Sequence, residues 1–223
     1  MKKTILLTFF LLQGVFIFAQ GNFKPGFVIT NSGDTLRGWI DYRTPEMNSR
    51  ICRFKANLED AEIQSFAPGE ITGFRIPEEG KFYVTRTIEI RAGQPQTVFL
   101  EFLVKGMLNL FFFPYERSEL NFFIFEDRLG NMTYTTQQSG IIENERGRFS
   151  REDNRFREII AHNFQEFKSV QQEVQNMNFD RRSMINFAVN YHDALCTIGE
   201  ECIVFEGRKS LPRAKVNFLC RAV

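Results

Sequence analysis

The chain has 223 residues, with 28 Lys and Arg set against 27 Asp and Glu, and it is rich in Phe, with 26. A net charge of +1 excludes the basic footprint of a nucleic-acid binder and a strong field for steering charged substrates. The length suffices for one large domain or two small ones, with room for a real core.

The opening, MKKTILLTFFLLQGVFIFAQGNF, has the three parts of a secretory signal peptide. Lys2 and Lys3 form the positive end, Ile5 to Ala19 the apolar stretch, and Ala19 is the small residue before the cut. The apolar run of about 15 residues falls short of the roughly 20 that span a bilayer. Residues 1–19 are therefore read as a cleaved leader. The 28 basic residues then lose Lys2 and Lys3 while the 27 acidic ones remain, so the net charge moves to about −1. The first cysteine is Cys52, too far from the cut for a lipid anchor. No later run reaches spanning length without charges, so no transmembrane helix is expected after cleavage.

From residue 20 to about 140 the chain reads as an antiparallel β module of hairpins. In GFVITNSGDTLRGWIDY, Phe27 to Thr30 and Thr35 to Tyr42 are strands, and Asn31 to Asp34 supply the turn. Period two puts Leu36, Ile40 and Tyr42 on one face and Arg37, Trp39 and Asp41 on the other. Gly38 marks a bulge or a close approach. Further short strands follow: SRICRFKAN, AEIQSF, ITGFRI, KFYVTRTIEI, TVFLEFLV, LNLFFF, LNFFIF and NMTYTT. Turn chemistry separates them, except that RAGQPQ reads as a connector.

Between these strands sits MLNLFFFPYERSELNFFIFED. Met107 to Phe113 and Leu120 to Phe125 are strand-length, and Glu116, Arg117 and Glu119 interrupt any spanning helix. Leu110 and Phe112 share one face, Phe111 and Phe113 the other. A strand apolar on both faces is expected to be buried on both. If the hairpin presents a binding surface instead, Phe111, Phe113 and Tyr115 carry it, with Trp39 as a second stacking residue.

Residues 141–223 read as a helical subdomain packed with the β module as one unit. GIIENERGRF is a charged connector. Ser150 with Asp153 resembles a capping box. Phe156, Ile159, Ile160, Phe164, Phe167 and Val170 form one apolar stripe. SVQQEVQNM continues it as a second helix or the far end of the first. Asp180 caps a further helix, striped by Met184, Ile185, Phe187, Ala188 and Tyr191. The tail, CIVFEGRKSLPRAKVNFL, reads as two short strands around Gly207 and Pro212.

The four cysteines are Cys52, Cys196, Cys202 and Cys220. In an oxidising setting an even count permits disulfides. Cys196 and Cys202 flank TIGEE, with Gly199 suited to the turn. A bridge there closes a loop of about 7 residues, worth roughly 2 kcal/mol on the chain-entropy estimate. Cys52–Cys220 is the remaining pair.

Catalytic motifs are missing. HNFQE at His162 is not the metalloprotease spacing, no Ser sits in G-x-S-x-G, and Gly33 and Gly38 lack the Lys and Ser or Thr of a phosphate loop. The expectation is a non-catalytic protein with no cofactor and no metal.

At GDTLRGWIDYR, Gly33 to Arg43, the sequence resembles a family of exported Bacteroidetes proteins whose members open with a GDT-x-x-G-x-I-x-Y hairpin after a signal peptide. The similarity continues through FAPGEITGF, TVFLEFLVKGMLNLFFF, NFFIFE and NYHDALCTIGEECIVFE. In that family the region often precedes an outer-membrane β-barrel, entered soon after a segment like RAKVNF. The resemblance implies a place in the periplasm or on the periplasmic face of the outer membrane, with an envelope protein or β-barrel as partner. The expected fold is α+β, an antiparallel β module followed by two or three helices. The expected role is a non-catalytic cell-envelope domain; the alternative is a soluble module that binds a glycan or peptide.

Overall fold

A computed structural model of the chain describes residues 21–115, 120–144, 147–197 and 199–206. The expected leader lies outside the described residues, as do Cys220 and the second tail strand.

The opening hairpin forms as its alternation and turn residues dictate. β1 (Phe23–Thr30) pairs with β2 (Thr35–Asp41), and Gly33 takes a φ of 90° in the turn. A short helix, α1 (Pro45–Asn48), follows; the Thr44 side chain caps it by accepting from the Met47 N–H. Then come β3 (Cys52–Lys55), β4 (Gln64–Phe66), β5 (Ile71–Ile76), β6 (Lys81–Arg91) and β7 (Gln94–Lys105). The Phe-rich stretch supplies β8 (Asn109–Pro114) and β9 (Asn121–Glu126), and β10 (Met132–Thr136) comes next. All these strands form one antiparallel sheet in the order β10-β9-β8-β7-β6-β5-β1-β2-β3-β4.

Two sequence expectations are corrected here. RAGQPQ is not a connector: β6 and β7 run on through it and meet at Ala92 and Gly93, with Gly93 at φ 74°. GIIENERGRF is not one either. It lies within a hairpin of β11 (Ser139–Asn144) and β12 (Gly147–Glu152), in which Ile141 opposes Ser150 and Ile142 opposes Phe149. β-Branched Ile141 and Ile142 favour this ladder. Ser150 is therefore a strand residue. The helix expected from Ser150 starts later, as α2 (Arg155–Asn163), where the Asp153 carboxylate accepts from the Arg155 N–H at 2.9 Å.

Two more helices follow, α3 (Val170–Gln175) and α4 (Arg181–Leu195). Asp180 caps α4 as the sequence implies, accepting from the Ser183 N–H at 2.8 Å. A last strand, β13 (Ile203–Val204), pairs with Val104 and Lys105 of β7, beyond the point where β6 has ended. The fold is α+β in the broad sense: mostly antiparallel sheet, with a small helical part.

The two faces of β7 hold different cores, because successive strand residues point to opposite sides. Val98, Leu100 and Phe102 join Val84, Ile88, Phe111, Phe113, Phe122 and Ile124 in one. Among the described residues no helix contributes to this core; the sheet curls over it. The Glu89 N–H on β6 donates to the Tyr134 hydroxyl on β10 at 3.2 Å, and Arg86 on β6 reaches Glu126 on β9 at 3.3 Å. In a flat sheet those strands would stand about 19 and 14 Å apart, given a spacing of about 4.8 Å.

On the opposite face, α2 to α4 lay Phe156, Ile160, Phe164, Phe187 and their neighbours on Leu110, Phe112, Phe123 and Phe125. The other end of the sheet bends the opposite way around Val28, Ile40, Phe54, Phe74, Tyr83 and Phe99. It is tied shut where the Phe99 N–H on β7 donates to the Ser49 carbonyl at 2.9 Å. Gly38 permits the bend: a Cβ there would lie 2.2 Å from the Lys55 carbonyl oxygen. The six Phe of β8 and β9 are thus covered on both faces, none more than 8% exposed.

Candidate functional site

β8 ends at Pro114, which has no N–H to offer, while β7 and β6 continue past it. The strands leave a recess of about 560 Å³ between the tip of the β6–β7 hairpin and the segment after α1. Its apolar floor is Val98, Phe113 and Tyr115, and its polar rim is Ser49, Arg50, Arg91, Gln96 and Thr97. A second hollow of about 240 Å³ shares Arg91, Gln96 and Tyr115, and adds Ile90, Gln94 and Pro95.

Within it the Arg91 guanidinium lies over the Tyr115 ring, 5.6 Å from its centroid. Tyr115 also meets Phe113 and Phe122 ring to ring. Ser49 is committed to the fold: its hydroxyl donates to the Glu46 carbonyl and its own carbonyl holds the Phe99 N–H. The Thr97 and Thr87 hydroxyls share a hydrogen bond at 3.0 Å. No Asp, Glu or His is among the described residues that line the recess. Its described lining offers cations, amides, hydroxyls and aromatic faces, groups that suit recognition.

The buried ionisable groups lie elsewhere and are engaged. Glu101 on β7 accepts from Arg181 and from Lys81, the latter at 2.5 Å. Burial disfavours its charge, but those cations outweigh burial and hold the carboxyl below its usual range. Asp41 faces Arg43 at 2.8 Å and accepts from the Asn22 N–H at 2.9 Å. His192 is fully buried: its Nδ1 accepts from the Met107 N–H at 3.0 Å, so Nε2 carries the proton and donates to the Glu200 carbonyl at 3.1 Å. Among the described residues, no group of three His, Cys, Asp or Glu is placed to hold a metal ion.

Of the residues marked for binding in the sequence, Phe113 and Tyr115 line the recess. Phe111 does not. It is fully buried in the curl, its ring stacked on Phe102 at 4.6 Å, and no ligand reaches it. Trp39 is half-buried on β2, opposite Pro25 and Lys55, and away from the recess. Cys196 and Cys202 are both buried near His192, and the Cys196 thiol lies 3.7 Å from the same Glu200 carbonyl. Sequence reasoning missed Arg91 and Gln96 because it read their segment as a connector. The signal was present: Ala92-Gly93 is a two-residue turn between alternating segments.

Comparison with protein-family models, with curated proteins and with solved structures found no match. No described helix is long and apolar enough to cross a membrane.

Proposed function

We propose that the chain is an exported, non-catalytic domain of the cell envelope, working as the periplasmic part of an outer-membrane-associated assembly. The leader and the GDTLRGWIDYR resemblance support the location. The observation that carries the non-catalytic part is a division of labour. Glu101, Asp41 and His192 are tied into the fold, while the recess is built of Arg, Gln, Thr and aromatic side chains. The test is protein taken from native envelopes. Its intact mass is expected to lack Met1 to Ala19, and cross-linking is expected to join it to an outer-membrane protein. A mass that retains the leader, or recovery from the cytoplasm alone, overturns the proposal.

A second reading is a soluble module that binds a glycan or peptide. The Arg91–Tyr115 pair in the recess favours it, since an aromatic face beside a guanidinium suits a polar ring or chain end. A ligand that raises the thermal midpoint of the isolated protein supports this reading over the first.

A further inference from the structure

The geometry points to the recess between the β6–β7 hairpin tip and α1 as a binding site for an acidic saccharide, with a sugar ring against Tyr115 and its carboxylate on Arg91. The inference rests on the second reading above and names its ligand class.

Charge is the first argument. The chain is close to neutral, yet both hollows share Arg91, and no acidic side chain lines either among the described residues. Among those residues no carboxylate is paired with Arg91. The Tyr115 ring covers one face of the guanidinium. Its N–H edge is the part that suits a carboxylate, which a guanidinium takes by two parallel hydrogen bonds.

Neutral polar groups are the second. Gln94 and Gln96 place amides on the rim, each able to donate and to accept. Sugar hydroxyls need that dual capacity; a simple anion does not. The floor of Tyr115, Phe113 and Val98 supplies the apolar contact that a sugar ring takes on its C–H face. The volume of the recess, about 560 Å³, falls within the range of small-ligand sites.

The third argument separates a saccharide from a peptide. Extended peptides commonly bind by adding a strand to an open sheet edge. Here the Ser49 carbonyl already occupies the Phe99 N–H on β7, a donor that an added strand would need.

Isothermal titration of the purified protein with trigalacturonate, galactotriose, triglutamate and inorganic phosphate tests the inference. Trigalacturonate is expected to bind saturably and galactotriose at least about tenfold more weakly, a difference of about 1.4 kcal/mol. Arg91→Gln is expected to weaken trigalacturonate binding by about tenfold. Tyr115→Leu is expected to weaken both sugars. Arg91 is exposed at a hairpin tip, so the Arg91→Gln thermal midpoint is expected to stay at the parent value. Equal binding of galactotriose, or no effect of Arg91→Gln, overturns the proposal. Binding of triglutamate or phosphate in place of the sugar, lost in Arg91→Gln, overturns the saccharide while leaving the recess a binding module. Silence with all four ligands counts against both, and leaves the envelope-assembly reading standing.

Discussion

Glu101 and Arg181, 80 residues apart, meet in a two-point pair: the guanidinium Nη1 and Nη2 donate to Oε1 and Oε2 at 2.8 and 2.7 Å. Glu101 sits on β7 between Phe99, which belongs to the core of β1 to β5, and Leu103, which belongs to the core under the helices. Arg181 opens α4 and lies 4.1 Å from the centroid of the Phe112 ring. The pair is therefore the polar seam between two apolar cores on one face of the sheet.

Breaking that seam is expected to be costly. Glu101 is only 2% exposed, and Glu101→Leu would leave Arg181 and Lys81 facing an apolar side chain. Loss of one partner of a buried ion pair costs about 3–5 kcal/mol. Replacing both partners, Glu101→Leu with Arg181→Met, is expected to cost less than the sum of the single changes, because no charge is stranded. Denaturant unfolding of the three variants beside the parent measures this. Additive losses would show that the pair does not act as a unit.

The same pair sets an acid dependence. Burial opposes ionisation of Glu101, but Arg181 and Lys81 prevail and hold its folded pKa below the ordinary carboxylate value, near which it titrates when unfolded. The unfolded state then binds more protons across that interval, so stability rises with pH through it. The contribution is complete above about pH 4.3, the ordinary glutamate value, and is lost as pH falls through the lower folded value. The stability gap between the parent and Glu101→Gln is expected to be constant near neutrality and to shrink in acid. A gap that widens in acid would show that burial, not the cations, governs this carboxyl.

Gly106 and His192 make a second tie. A Cβ on Gly106 would lie 2.9 Å from Nδ1 of His192, the nitrogen that accepts the Met107 N–H. Gly106→Ala is expected to push the ring away and to open the link between the β7–β8 turn and α4. His192→Ala leaves the Met107 N–H without its acceptor, at a cost of about 1–3 kcal/mol. Amide exchange at Met107 is the direct readout: protection is expected in the parent and loss of it in both variants. Unchanged protection would show that the ring is not the acceptor in solution.

Much of the β order was legible because alternation and turn residues are local signals. NSGD marked the first turn, and Gly38 marked a close approach that Lys55 makes across the pair. The double-faced burial of Phe111 to Phe113 followed from their uniform apolarity. What covers the Phe111 side was not legible, since curling brings β10 onto β6 through pairings that no local pattern records. The β11–β12 hairpin was missed because its charges mask the β-branched pair Ile141 and Ile142. The recess was half legible: its aromatics stood out, while Arg91 and Gln96 gain meaning only once the hairpin extends past β8.

Cys196 and Cys202 bracket the loop whose Glu200 carbonyl receives the His192 N–H. Both side chains are buried, at the end of α4 and just before β13. In protein recovered from an oxidising compartment they are expected to be joined, stabilising the fold by roughly 2 kcal/mol for so short a loop. Non-reducing peptide mapping should find the two peptides linked, and Cys202→Ser should lower the thermal midpoint. Free thiols at both positions in exported protein would refute the bridge. Cys52 is a different case. It is buried in the core, and burial pushes its thiol well above the ordinary range, so it is expected to resist alkylation until the protein unfolds.

Phe112 and Phe111 are neighbours on β8 that answer to different cores. Phe112 packs with Phe123, 5.4 Å between centroids, beneath the helices, and carries the Arg181 guanidinium on its ring. Phe111 lies in the curl of the sheet, stacked on Phe102 and under the Arg86 guanidinium. Truncation of a buried Phe to Ala costs about 3–5 kcal/mol through lost burial and the cavity left behind. Both Phe112→Ala and Phe111→Ala are expected in that range by denaturant unfolding. They differ in what fails locally. Phe112→Ala also removes the ring beneath Arg181, so its effect is expected to couple with Glu101→Leu in a double-mutant cycle, while that of Phe111→Ala adds independently. A loss below about 1 kcal/mol for Phe112→Ala, with loss of envelope association instead, would mean that this hairpin faces a partner and that the helices do not cover it in the cell.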